Sequence, residues 1–167
     1  GVEGNGQAEI LDALMGIESA TGRVQFKDED ITNKSTRHRR ELGIGFIPED
    51  RHRQALMLEA PLWENRMLGH QTRSPNAKGI WLTPRSAKAD TKRIVEEYDV
   101  RTPSIDVLAS ALSGGNQQKL IVGREMSGEP KLLIAAHPTR GVDVGAQAAI
   151  WDHIRNARQS GLAVLLV

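Results

Sequence analysis

Leu112-Ser113-Gly114-Gly115-Asn116-Gln117-Gln118-Lys119 is the most informative run in the chain. Ser113 is placed to cap a helix, and the glycines after it let backbone N–H groups come close to an anion. A helix start alone explains the serine and one glycine; it does not explain Gly-Gly followed by Asn-Gln-Gln. Downstream, Lys131 to Ala136 is an apolar strand that leads into His137-Pro138-Thr139-Arg140-Gly141-Val142-Asp143. A helix is expected from Ala146 to about Gln159, with Ala149, Ile150, His153, Ile154 and Ala157 along one side. Leu162 to Val167 reads as a buried parallel strand.

Working upstream, Thr83-Pro84 reads as an N-cap followed by proline at the first helical position, with a helix to about Tyr98. Gly43 to Ile47 is a short strand stopped by Pro48, and Arg23 to Lys27 alternates as a half-buried strand. The basic run Arg37-His38-Arg39-Arg40 reads as a solvated loop. Gln7 to Met15 is a helix with Ile10, Leu11 and Leu14 on one face and Gly16 as its stop. Helices alternating with short apolar strands imply a parallel α/β sheet. Residues 51–108 are poor in strands and read as a helical insertion.

The chain has 167 residues, 26% charged and 39% hydrophobic, the composition of a folded domain with a real core. Its 22 Lys plus Arg against 21 Asp plus Glu leave a net charge of +1, so no overall field draws it to nucleic acid or an anionic membrane. The absence of cysteine excludes disulfides, thiolate metal sites and thiol nucleophiles. The longest apolar run is too short to cross a bilayer, and no signal-peptide pattern opens the chain. The opening glycine loop normally follows a buried strand, and the closing strand lacks the loop that would follow it. The chain is therefore read as a piece of a longer protein, truncated at both ends.

The opening run Gly1-Val2-Glu3-Gly4-Asn5-Gly6-Gln7-Ala8 has the glycine spacing of a phosphate-cradling loop, G-x-x-x-x-G-K-[ST]. Gly1 and Gly6 fit it. Gln7 replaces the lysine and Ala8 the metal-binding hydroxyl, so the loop offers hydrogen bonds without charge or a metal ligand. Taken alone, it is also what a plain strand–turn–helix connection would need. Ile47-Pro48-Glu49-Asp50-Arg51-His52-Arg53 follows the short strand that ends at Ile47. Arg51 and Arg53 there would touch a partner or a phosphate, or simply stand in a solvated, salt-bridged turn.

The order of these motifs resembles that of ABC-type ATPase domains. More narrowly, the chain is similar to the second, degenerate ATPase half of the tandem ATP-binding subunits of bacterial sugar and nucleoside importers. The phrases Gly1 to Gln7, Ile47 to Arg53, Val100-Arg101-Thr102-Pro103-Ser104 and Ala135 to Gly141 look like the nucleoside branch, in which a Gln commonly stands at the place of His137. The resemblance implies a P-loop NTPase core with a parallel sheet flanked by helices, plus an inserted helical subdomain. It implies one ABC ATPase domain over 1–167, with a core at 1–50 and 109–167 and the helical subdomain at 51–108.

By the same resemblance, Gly1, Gly4, Asn5, Gly6, Gln7, Ala8 and Glu9 form the nucleotide-binding loop. Leu112, Ser113, Gly114, Gly115, Asn116 and Gln117 form the signature, which in the family contacts the γ-phosphate of ATP held by the opposite domain of a dimer. Glu49 stands near the Gln of the Q-loop, and Gly141 and Asp143 belong to the D-loop. Ala136 takes the place of the Mg²⁺-linked Asp of the Walker B strand. His137 takes that of the Glu that orients the attacking water; it acts as a base, or it is a loop histidine that has lost the role. The expectation is therefore no metal site and no catalytic residue in this half. ATP, with Mg²⁺ mainly at the partner half's site, is the implied cofactor. The implied partners are an N-terminal ATPase half or a second ABC ATPase, transmembrane permease subunits and, indirectly, a solute-binding protein, with no nucleic acid. The implied place is the cytoplasmic face of the cell membrane. The competing readings are a non-hydrolytic regulatory or structural module, and a soluble ABC ATPase unrelated to transport.

Overall fold

The computed structural model describes residues 5–79 and 81–167. Its centre is a three-stranded parallel sheet of β3 (Ile44–Ile47), β6 (Leu132–Ala135) and β7 (Ala163–Leu166), in that order. Side chains alternate across it, as the period of a strand requires. Ile44, Phe46, Ile134 and Ala136 pack with Leu11 and Met15 of α1 (Gln7–Met15) on one face. Ile47, Leu133 and Ala135 pack on the other with α6 (Gly114–Met126) and α7 (Val144–Gln159). The burial of these apolar faces is the main cohesive term, at about 25 cal/mol per Å² of apolar surface.

Helix α1 has the bounds expected from its flanking glycines. Gly16 closes it in the left-handed region, φ 70°. A Cβ there would lie 2.7 Å from the Lys34 carbonyl and 2.9 Å from Arg39 Nε, so only glycine fits.

Between α1 and β3 the structure meets the sequence expectation only in part: two residues of the strand expected from Arg23 to Lys27 pair, and the basic run differs. Residues Gln25–Phe26 (β1) and Glu29–Asp30 (β2) form a short antiparallel hairpin, turned at Lys27 with φ 54°. The basic run is no solvated loop. It lies in α2 (Thr36–Glu41), capped by Ser35. Arg39 is 1% exposed and donates to the carbonyls of Ala13, Leu14, Thr32 and Lys34. A cation at the C-terminal end of α1 satisfies carbonyls that have no partner within the helix.

Residues 51–108 contain α3 (Arg51–Gln54), α4 (Leu62–Met67), a two-stranded hairpin β4 (Ala77–Lys78) and β5 (Trp81–Leu82), and α5 (Pro84–Glu97). Pro84 opens α5 as expected, but Thr83 does not cap it: its hydroxyl donates to the Pro75 carbonyl instead. Arg66 of α4 pairs with Asp90 of α5 at 2.7 Å, both largely buried. Strand β7 is parallel, as expected, but it is not buried: it lies at the sheet edge, where Leu165 and Leu166 are 38% and 50% exposed. No described helix is long and apolar enough to cross a membrane.

Candidate functional site

The loop residues Gly1 and Gly4 lie outside the described residues. Gly6 takes a left-handed φ of 82° at the N-cap of α1, and Gln7 begins the helix. Asn5 is exposed and Gln7 half-buried, while Ala8 and Glu9 are exposed. Ala8 lines an open cleft of about 610 Å³ together with Leu11, Phe46, Glu49, Arg51 and Arg140. The helix start therefore faces a cleft wide enough for a ligand.

The donor set of that cleft does not fit a magnesium ion. Ala8 on its wall and Ala136, 1% exposed inside the core, offer only methyl groups. Of the carboxylates that line it, Glu49 is ion-paired with Arg140 and Asp50 caps α3 by accepting from the His52 and Arg53 N–H groups, which leaves Asp12. Among the described residues, no group of His, Cys, Asp and Glu is arranged to hold a metal, and Mg²⁺ requires carboxylate or phosphate oxygens around it. His137 is not brought to the cleft. It is exposed, with its backbone in the left-handed region at φ 45°. Its N–H donates to the Val167 carbonyl at 2.9 Å, and it lines a separate cavity with Trp151 and Val167.

The structure does bring the Q-loop-like turn, the signature and the D-loop together. Ser113 caps α6, its hydroxyl accepting from the Asn116 N–H. It is exposed, whereas Leu112, Gly115 and Gln117 are buried. A Cβ on Gly114 would lie 2.8 Å from Arg51 Nη2 and 3.0 Å from the Gly141 carbonyl. A Cβ on Gly115 would lie 2.8 Å from Asp143 Oδ2 and 3.2 Å from Ala146 Cβ. Asp143 caps α7 by accepting from the Ala146 N–H at 2.9 Å. That bond holds its carboxyl below the ordinary carboxylate range. Two helix N-termini, those of α6 and α7, thus meet at the glycine pair.

Arg51 is not a solvated residue of a turn. It donates to Gln117 Oε1 at 3.3 Å and to the Arg140 carbonyl at 2.8 Å. Gln117, which the sequence placed only within the signature, is the node between the two segments. Its Nε2 donates to the Ala109 carbonyl, which leaves Oε1 to accept from Arg51 and from His52 Nε2 at 2.9 Å. Behind it, Glu125 of α6 is fully buried. It accepts from Arg40 Nη1 and Arg124 Nε at 2.9 Å and from the Phe46 N–H at 3.0 Å. Arg124 donates in turn to the carbonyls of Ala55 and Asn65. The signal in the sequence was a charged pair, Arg124-Glu125, next to the apolar run Leu120-Ile121-Val122.

A family model described as ABC transporter matches residues 1–140. The chain is 43% identical over its whole length to the guanosine import ATP-binding protein NupO of Bacillus subtilis, and 41% identical to the nucleoside import ATP-binding protein NupA of Lactococcus lactis. It spans 33% of the length of each of these relatives. Among solved structures it resembles a bacterial ABC transporter cassette in dimeric form, with a TM-score of 0.80 at 19% identity, over 99% of this chain and 71% of that one. The fold is that of the P-loop NTPase ABC cassette.

Proposed function

The chain belongs to the ATP-binding domains of ABC transporters, and from that premise we propose that it is an ATPase half that completes its partner's ATP site while its own site is slow or inactive. The partner is an N-terminal ATPase half of the same protein or a second ABC ATPase. The pair energises an importer of nucleosides or simple sugars, at the cytoplasmic face of the membrane, through permease subunits and a solute-binding protein. The relatives named for guanosine and nucleoside import support this class of cargo. Residues 51–108 serve as the helical subdomain, and residues 1–50 and 109–167 as the core.

Phosphoryl transfer needs neutralised charge and a positioned nucleophile, and little more from the protein. At the cleft beside α1, Gln7 donates without charge, and the methyl groups of Ala8 and Ala136 replace metal ligands. Lack of a positioned base there costs on the order of 10²–10⁴ in rate. The observation that carries the reading is the contrast with the signature. Ser113 stands exposed at the start of α6, a helix of 13 residues whose positive end favours an anion. In the assembled pair, the Ser113 hydroxyl and the adjoining backbone N–H groups donate to the terminal phosphate held by the other half. The test is Ser113→Arg in the assembled ATPase pair. Loss of ATP turnover and transport is expected. Turnover and transport near the wild-type level would overturn the proposal.

A further inference from the structure

Asn116 does not need to touch nucleotide in order to matter. Ser113 Oγ accepts from the Asn116 backbone N–H at 3.4 Å and from Asn116 Nδ2 at 3.0 Å. A serine hydroxyl has two acceptor lone pairs and one donor proton. Both lone pairs are engaged by the same residue, so the only capacity left to Ser113 is its proton. The amide orientation is set independently. Asn116 Oδ1 accepts from the Arg101 backbone N–H at 2.9 Å, and an N–H can only donate, so Nδ2 must face the serine.

We propose that Asn116 is a positioning residue that locks the Ser113 hydroxyl as an outward donor and ties the Arg101 loop to the same point. The inference rests on the reading of the signature as a donor to the partner's phosphate. A hydroxyl with free lone pairs serves donors and acceptors alike, whereas an anion takes donors only. By filling the lone pairs, Asn116 removes the competing orientation before the anion arrives, which is preorganisation in its simplest form. Ser113 is exposed and Asn116 half-buried. The serine therefore faces outward and the asparagine supports it from behind. The Arg101 loop and the signature also line one cavity of about 320 Å³ with Lys119 and Asp143, so the tie fixes one wall of that cavity against α6.

The experiment is a double-mutant cycle in the assembled ATPase pair: Ser113→Ala, Asn116→Ala and both together, read as kcat and KM for ATP. Asn116→Ala keeps the backbone N–H that Ser113 caps, so the helix start is retained. Ser113→Ala is expected to lower kcat/KM about ten- to hundredfold, and Asn116→Ala about three- to tenfold. The double variant should be no worse than Ser113→Ala within about twofold, because Asn116 then has no hydroxyl to orient and the tie to the Arg101 loop serves turnover only by holding Asn116 against that hydroxyl. A third variant, Asn116→Asp, keeps the acceptor for the Arg101 N–H but draws the serine proton inward. It should lose more than Asn116→Ala when the serine is present, and that excess should shrink when Asn116→Asp is combined with Ser113→Ala, leaving only the carboxylate's repulsion of the phosphate. Losses that multiply in the double variant, or an Asn116→Ala pair as active as wild type, would overturn the positioning role while the trans reading stands. A Ser113→Ala pair with unchanged kinetics would overturn the trans reading, and this inference with it.

Discussion

Glu125→Ala tests the electrostatic joint beneath the signature helix. The Glu125 side chain is 0% exposed, and its partners Arg40 and Arg124 are 16% and 3% exposed. Removing the carboxylate strands two cations in the interior and leaves the Phe46 N–H without its acceptor. Breaking a buried pair by deleting one member costs about 3–5 kcal/mol. For a chain of this size each kcal/mol shifts Tm by about 2–4 °C, so a fall of roughly 6–20 °C is expected in a calorimetric melt. Glu125→Gln, which keeps an acceptor but loses the charge, should fall between wild type and Ala. The same joint gives a pH signature. Burial pushes the Glu125 carboxyl up, but Arg40 and then Arg124 outweigh it and bring it to about 2 from an ordinary 4.5. A group depressed in the folded state stabilises fully above its unfolded value and loses that contribution as the pH falls through the folded one. The gap between wild type and Glu125→Gln should therefore be full near neutrality and close progressively between about pH 4.5 and 2. A Tm fall of less than about 3 °C for the Ala variant, or a gap that stays constant into acid, would refute the reasoning.

Two further outcomes are expected. Arg39→Met keeps the aliphatic stem but removes the donors to Ala13, Leu14, Thr32 and Lys34; it should destabilise by about 3 kcal/mol in urea denaturation, since each buried carbonyl left unpaired costs about 1–3 kcal/mol. Gln7→Lys with Ala8→Ser in the assembled pair should tighten nucleotide binding at this half, measured by fluorescence titration, because a charge-assisted bond to phosphate contributes about 1.5–3 kcal/mol. It should leave hydrolysis there unrestored, because Ala136 and His137 still supply no ligand and no base at the cleft.

Helix α1 was legible because it is bounded by glycines, which act locally, and α6 because Ser113 caps it within one turn. Strands β3 and β6 were legible as apolar runs stopped by local breakers. What the sequence hid depends on partners far along the chain. Arg39 looked like surface, yet it serves a carbonyl 26 residues away. Arg40 looked alike, yet its carboxylate lies 85 residues away. Strand β1 lies inside the strand expected from Arg23 to Lys27, but its partner β2 was missed, because a strand of two residues has no period to read. Thr83 was misread because its hydroxyl found a carbonyl across the β4–β5 hairpin instead of the helix start. At the site, the order of the motifs was visible, but their meeting at Gln117 was not, since its partners Arg51 and His52 lie 66 and 65 residues away.

That meeting changes which residues bear the functional reading. The glycine pair of the signature first suggested an anion-binding turn, but packing also favours small residues there: a side chain on Gly114 would displace the end of Arg51 and press on the Gly141 carbonyl, and one on Gly115 would press on Asp143 and Ala146. A substitution such as Gly115→Ala would thus disturb the contact between the starts of α6 and α7 whether or not an anion binds there, so its effect does not discriminate between the two roles. The discriminating group is the one that packing leaves over. Ser113 is exposed, and its hydroxyl bonds within the first turn of its own helix, to Asn116. A cap needs only one of its lone pairs. The second bond, from Asn116 Nδ2, is more than helix termination requires, and it makes sense if the proton it directs outward has something to meet. Ser113→Thr keeps a capping oxygen and a proton but adds a methyl group at the exposed face. If the hydroxyl serves only the helix, thermal stability and ATP turnover of the assembled pair should both be retained. If it meets a phosphate across an interface, stability should hold within about 1 kcal/mol while turnover falls, and a variant that keeps both would return Ser113 to a purely structural role.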